Sequence, residues 1–192
     1  MKYDLSKKPT IGAARTLDSL YRAMFALLSE RSFEEIAVQE LCEKAMLPRA
    51  TFYNYFDDKY DLLDYCFSLI YEQTYGAHSQ SGSSQEELAL FLEHCIDFFD
   101  AHEDTARSIL KNNRLDQYLL NHFRFYLVTK MVAAVSACPS CRRYAAPSEM
   151  VAKLFSEAVW IVLEWKYLER RECSKEQAKA YLQMLVGGIT LK

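Results

Sequence analysis

Apolar residues recur at intervals of three and four along almost the whole of this 192-residue chain, and this spacing limits the possible folds more than any other feature. In the first such run, Leu17, Leu20, Met24 and Leu28 fall on one face of a helix. No segment alternates between apolar and polar residues as a strand would, and the chain has only 5 glycines and 4 prolines. The sequence therefore predicts an all-α protein of about nine helices.

The predicted helices are separated by polar or proline-containing breaks. They cover approximately residues 10–30, 37–44, 48–55, 58–76, 85–101, 103–111, 114–137, 148–171 and 175–190. The clearest linker is the small, polar stretch 76–86, which cannot pack a core.

Residues 36–55 hold the most informative pattern, two short predicted helices on either side of a break at 45–48. Five apolar residues in it are spaced to form a small shared core: Val38, Leu41, Ala45, Leu47 and Phe52. This arrangement is typical of a helix-turn-helix. We predict a three-helix domain over residues 1–57 that contains the motif, and a second helical domain over residues 58–192.

The second helix of the motif concentrates hydrogen-bonding side chains in barely two turns: Arg49, Thr51, Tyr53, Asn54 and Tyr55. Such groups suit phosphates and base edges, whereas a helix kept only for solubility more often carries Glu and Lys. Residues 1–60 hold as many acidic as basic residues, so DNA binding would depend on local placement of the cations. The alternative is a small helical bundle with a tyrosine-rich surface.

The segment from about residue 10 to residue 65 resembles the N-terminal domain of the TetR/AcrR family of bacterial transcriptional regulators. The residues that carry the resemblance are Phe33, Ile36, the helix 41–45, the run 51–56, Lys59, Leu62 and Leu63. The resemblance implies that three side chains face the major groove of double-stranded DNA: Arg49, Thr51 and Tyr53. It implies that four contact backbone phosphates: Gln39, Asn54, Tyr55 and Lys59.

Three positions depart from the family pattern. Met46 stands in the turn, where the family usually has glycine, so a side chain is expected at a positive φ angle. Pro48 stands where Ser or Thr usually caps the recognition helix, and a proline fits the first helical turn. Ala37 replaces the usual Thr or Ser before the second helix. None of the three removes a group expected to contact DNA.

Other functional classes find little support in the sequence. No Ser/His/Asp arrangement, nucleotide-binding glycine loop or paired-carboxylate motif is present, so we expect no enzyme activity and no cofactor. Cys138 and Cys141 form a C-x-x-C pair, but no second pair or adjacent His completes a zinc site. Apolar runs such as 158–163 are too short to cross a membrane, and residues 1–8 lack a signal peptide's apolar stretch. We expect a cytoplasmic protein with reduced thiols.

The predicted second domain is rich in aromatic residues that could line an apolar effector cavity or pack as core. The candidate lining residues are Phe67, Tyr71, His94, Phe98, His122, Tyr126 and Trp160. The helix over 148–171 is apolar nearly all round between Ala158 and Leu163, which predicts burial on more than one side. We expect one of these sides, with the last helix, to contact a second copy, and the resemblance likewise implies a four-helix dimer interface.

The sequence and the resemblance together predict a homodimeric regulator of a palindromic operator, acting as a repressor released by a small apolar or aromatic effector. The alternative is a regulator whose C-terminal domain is controlled by a protein partner, without a small-molecule pocket. Residues 91–110 and 160–171 favour this alternative, because they loosely resemble the branch typified by the activator of dihydroxyacetone kinase genes.

Overall fold

A computed structural model describes residues 9–74, 84–137 and 146–187. Most of the predicted linker and the Cys138–Cys141 pair lie outside these ranges. Within them the chain forms nine α-helices and no strand, which confirms the all-α prediction. The helices are α1 (Ile11–Glu30), α2 (Val38–Lys44), α3 (Arg49–Tyr55), α4 (Lys59–Thr74), α5 (Ser84–Ala101), α6 (Glu103–Asn112), α7 (Tyr118–Ala137), α8 (Ser148–Leu163) and α9 (Lys175–Val186).

Local sequence explains where several helices begin. The Thr10 side chain accepts a hydrogen bond from the Ala13 N–H at the start of α1, and Ser174 does the same for the Gln177 N–H at α9. The start of α7 was predicted four residues too early, because residues 114–117 form a turn. The long helix predicted over 148–171 is also divided, since a π-helical turn at Glu164–Leu168 follows α8.

The chain divides into two compact units. The first consists of Met1–Tyr71 together with Asp104–Leu119, and the second of Glu72–Glu103 together with Leu120–Lys192. Residues from α6 and the following turn therefore belong with the N-terminal helices, from which they are distant in sequence. The predicted functional boundary after residue 57 stays a prediction.

The first unit has an aromatic core, in which Phe33, Phe52 and Phe56 are completely buried. Of the small core predicted for the helix-turn-helix, Leu41, Ala45 and Phe52 are buried, and Val38 and Leu47 are half-buried. Phe33 lies in a 3-10 turn, Phe33–Glu35, that joins α1 to α2. Helix α2 packs against both α1 and α3, so the core fixes the orientation of α3.

In the second unit, α5 packs against α8 and α9, which also pack against each other. Three acidic residues recur on one face of α5 and pair with lysines of the last two helical segments. The pairs are Glu93 with Lys179 at 2.9 Å, Asp97 with Lys175, and Asp100 with Lys166 at 3.6 Å. This row of ion pairs fixes the register of α5 against the C-terminal part of the chain.

Candidate nucleic-acid interface

The turn between α2 and α3 is tight and contains one strained residue. Met46 has a φ of 55°, the left-handed region that favours glycine, and its side chain is 90% exposed. The Leu47 N–H then donates to the Cys42 carbonyl at 2.9 Å, which closes the turn. The positive φ expected for Met46 is confirmed, and a side chain with no burial is held there at a cost in backbone energy.

Both short helices begin without a Ser or Thr side-chain cap. Pro48 precedes α3 with a φ of −62°, and its carbonyl accepts the Thr51 N–H at 2.9 Å. At α2, the Glu40 carboxylate accepts the Ala37 N–H at 2.9 Å. The departures from the family pattern at Ala37 and Pro48 are thus compensated locally.

Helix α3 presents a polar face to solvent and anchors itself with one aromatic residue. Phe52 is fully buried, whereas Arg49, Tyr53 and Asn54 are exposed. Ala50 is exposed on the same face, between these larger side chains, and the sequence prediction missed it. A helical projection would have found it, because positions 49, 50, 53 and 54 are neighbours on a helix surface. The two remaining predicted residues of α3, Thr51 and Tyr55, are half-buried.

Two of the exposed side chains on α3 interact with each other. The Arg49 Nη2 donates to the Tyr53 hydroxyl at 3.3 Å, and the guanidinium carbon lies 5.8 Å from the centre of the Tyr53 ring. Arg49 has no carboxylate partner within the described ranges. The Tyr53 hydroxyl therefore holds the arginine in place, and no carboxylate of the described ranges neutralises its positive charge.

Gln39 lies on α2 and reaches the same area as the start of α3. Its side-chain amide donates to the Glu43 carboxylate at 2.8 Å, and both residues are exposed. A shallow depression at the turn is lined by Gln39, Cys42, Glu43, Met46, Leu47, Pro48 and Arg49. Two of the predicted DNA-contacting residues, Gln39 and Arg49, thus share one concave surface.

Lys59, at the first turn of α4, has a different environment from the one predicted. Its ammonium donates to the backbone carbonyls of Phe33, Glu34 and Ile36 at 2.9, 3.0 and 2.8 Å. It also lies 4.7 Å from the centre of the Phe33 ring, and burial lowers the pKa of the ammonium. Because an ammonium has three donors, this geometry favours a role in holding the 3-10 turn against α4. The phosphate contact stays a prediction.

The other cations near the motif are paired with carboxylates. Arg31 lies 2.6 Å from Glu40, and Lys44 lies 2.7 Å from Glu30. Arg49 is therefore the cation of this segment best placed to meet a nucleic-acid acceptor, since Arg31 and Lys44 are paired with carboxylates and the donors of Lys59 are used by backbone carbonyls.

A family model of bacterial regulatory proteins, the tetR family, matches residues 20–66, which run from within α1 into α4. The chain has a TetR-family N-terminal domain. The matched segment contains the complete helix-turn-helix, and the resemblance seen in the sequence is confirmed for it. A search of curated protein sequences found no match to this chain.

Solved structures of TetR-family regulators share the fold of nearly the whole chain. A regulator from Streptomyces coelicolor A3 has a TM-score of 0.69 at 13% identity, covering 94% of this chain and 98% of its own. A regulator from Streptococcus agalactiae 2603V has a TM-score of 0.60 at 22% identity, with coverages of 90% and 94%. FadR from Bacillus subtilis, solved in complex with stearoyl-CoA, has a TM-score of 0.63 at 14% identity, with coverages of 90% and 99%. The chain thus has the fold of a TetR-family transcriptional regulator.

The residues predicted to line an effector cavity are divided between the two units of the chain. Phe67, which is buried, and Tyr71, which is half-buried, belong to the first unit. The second unit contains the buried Trp160 and four half-buried residues: His94, Phe98, His122 and Tyr126. The Phe98 ring packs against the His102 ring, with 4.5 Å between centroids. The effector cavity itself stays a prediction.

The described ranges contain neither a candidate metal cluster nor a candidate membrane helix. No group of three or more His, Cys, Asp and Glu side chains there could hold a metal ion. None of the helices in the same ranges has the length and apolarity needed to cross a membrane.

Proposed function

We propose that this TetR-family protein is a homodimeric transcriptional repressor that binds a two-fold symmetric operator and is released by a small apolar or aromatic molecule. The observation that carries the proposal is the solvent-facing polar surface of α3 beside an exposed turn. Arg49, Thr51 and Tyr53 face the major groove, and Gln39, Asn54 and Tyr55 contact backbone phosphates. Lys59, whose ammonium donates to three backbone carbonyls of the 3-10 turn region, remains a predicted phosphate contact.

Operator binding is tested with DNA fragments that flank the protein's own gene, against random DNA of equal length. Arg49→Ala should weaken specific binding by about 1–3 kcal/mol, since a bidentate contact to a base contributes that much. The matched control is Arg114→Ala, because Arg114 is an exposed arginine in the same unit and its partner is Asp116. If the wild-type protein binds no fragment more tightly than random DNA, the proposed function is wrong.

An exposed apolar stripe on α8 and the π-helical turn that follows it supports the homodimer. Met150, Leu154, Ile161 and Trp165 are 40–62% exposed and follow one another at helical spacing along one face. Helix α9, which packs against α8, adds three exposed apolar residues: Tyr181, Met184 and Leu185. Exposed apolar residues at this density are typical of a protein interface, and a second copy of the same stripe is its simplest complement.

Sedimentation velocity at micromolar concentration tests the dimer. The wild-type protein should sediment as a dimer, and Ile161→Glu should sediment as a folded monomer because it buries a charge in the interface. Leu115→Glu is the control, since Leu115 is 44% exposed and lies outside the stripe. A wild-type protein that is monomeric at this concentration would contradict the proposal.

The proposed effector is supported by the aromatic composition of the second unit and by the ligand of a structural neighbour. FadR from Bacillus subtilis, which has a similar fold, was solved with stearoyl-CoA, a molecule that joins a long apolar acyl chain to a charged CoA group. Only three residues separate the end of α3 from the start of α4, so a ligand that tilts α4 would move α3. A shift of a few Å disrupts docking of two recognition helices that must lie about 34–36 Å apart.

The effector is tested by titrating stearoyl-CoA into the operator complex, followed by a panel of aromatic carboxylates. A ligand that releases the protein should lose its effect on Phe98→Trp, whose larger ring would shorten a cavity within the second unit, while operator affinity is unchanged. If no small molecule releases the operator, the alternative function, in which a protein partner controls the second domain, gains support. An inducer that acts equally on Phe98→Trp would show that the cavity lies elsewhere.

A further inference from the structure

We infer that Tyr53 is a positioning residue for Arg49, and that the two side chains act as one unit that recognises a guanine in each operator half-site. The inference rests on the proposed function and identifies the base that the exposed face of α3 recognises. It follows from the contact between the two side chains, from their charge and from their place on α3.

Arg49 and Tyr53 are four residues apart and lie above one another on the exposed face of α3. The hydrogen bond of 3.3 Å and the 5.8 Å approach to the ring restrict a side chain that would otherwise have many rotamers. No acidic group in the described parts of the chain neutralises the guanidinium. The contact therefore orients the cation and leaves its charge available to DNA.

The count of hydrogen-bond donors is consistent with a bidentate contact. A guanidinium has about five N–H donors, and the Tyr53 hydroxyl uses one of them. Guanine presents O6 and N7 in the major groove, and the guanidinium fork matches these two acceptors. Arg49 is the first residue of α3, and the N-terminal residues of a recognition helix are those that reach base edges. The neighbouring Ala50 has only a methyl group, so it leaves space for a base pair to approach.

The experiment starts from the wild-type protein and a random DNA library, from which bound sequences are selected and counted. We expect one position in each half-site to be strongly enriched in guanine. Arg49→Ala should reduce the preference for guanine at that position by about tenfold or more. Arg49→Lys keeps the charge but loses the fork, and should also reduce the preference. Failure to enrich any sequence would overturn the proposed function as well.

The role of Tyr53 is tested by a double-mutant cycle. Binding is measured to the DNA sequences selected from the library and to versions of them in which another base replaces the guanine. Tyr53→Phe keeps the ring and should lower the preference for guanine about threefold to tenfold, the effect of one hydrogen bond. In the Arg49→Ala background the same change should have no effect on that preference. If Tyr53→Phe weakens binding to all sequences equally, and does so without Arg49, Tyr53 contacts a phosphate directly and the inference is wrong.

Discussion

Replacing Asn113 by leucine removes a buried polar side chain that joins distant parts of the first unit. Asn113 is 1% exposed, and its Oδ1 accepts the Phe33 N–H at 2.8 Å across 80 residues of sequence. Its Nδ2 donates to the carbonyls of Ile109 at 3.0 Å and Leu28 at 3.4 Å. The side chain thus ties the end of α6 to the last turn of α1 and to the 3-10 turn before α2.

The expected loss of stability follows from which groups are left unpaired. The Ile109 carbonyl keeps the Asn113 backbone N–H at 2.9 Å, so it is not orphaned. The Phe33 N–H loses its side-chain acceptor in a buried position, which costs about 1–3 kcal/mol. The longer contact to Leu28 contributes less. We expect Asn113→Leu to lower the free energy of unfolding of the first unit by about 2–4 kcal/mol.

Urea denaturation followed by two signals separates the units. Both tryptophans, Trp160 and Trp165, lie in the second unit, so their fluorescence reports on it, while circular dichroism reports on helices of both. Asn113→Leu should shift the part of the dichroism transition that belongs to the first unit to a lower urea concentration. The control is Asn112→Leu, because Asn112 is half-buried and donates to the Ser29 and Ser108 carbonyls. A loss below about 0.5 kcal/mol for Asn113→Leu would refute the reasoning.

Three further predictions concern the stability of the DNA-free protein, measured by urea denaturation. Lys59→Met should lower the free energy of unfolding by about 1.5–3 kcal/mol, because three backbone carbonyls lose a charged donor; a phosphate-binding lysine would show no such loss. Met46→Gly should raise it by about 0.5–1 kcal/mol, since the strain at a φ of 55° is relieved and no burial is lost; a decrease would contradict this. Lys179→Ala should lower it by only about 0.2–1 kcal/mol, and by less in molar salt, because its ion pair with Glu93 is partly exposed; an equal loss at high salt would point to packing instead.

Local sequence patterns were sufficient for most of the secondary structure and for the exposure of Arg49, Tyr53 and Asn54 on α3. The helical periodicity, the capping residues and the proline at 48 act over a few residues, so they can be interpreted without a fold. The same holds for α3, where a buried Phe52 fixes which neighbours face solvent. The positive φ of Met46 was expected from the family resemblance, because the family usually has glycine at this place in the turn.

The tertiary structure decided what the distant residues do. The ammonium of Lys59 donates to carbonyls 23–26 residues earlier, which no local pattern specifies, while its phosphate contact stays a prediction. Asn113 showed no signal in the sequence, and only the fold makes it the link between α6 and the N-terminal helices. A sequence determines which side chains share a helix face, because that depends on helix geometry alone. Partners on other helices depend on how the chain returns upon itself, and this is fixed by packing of the whole core.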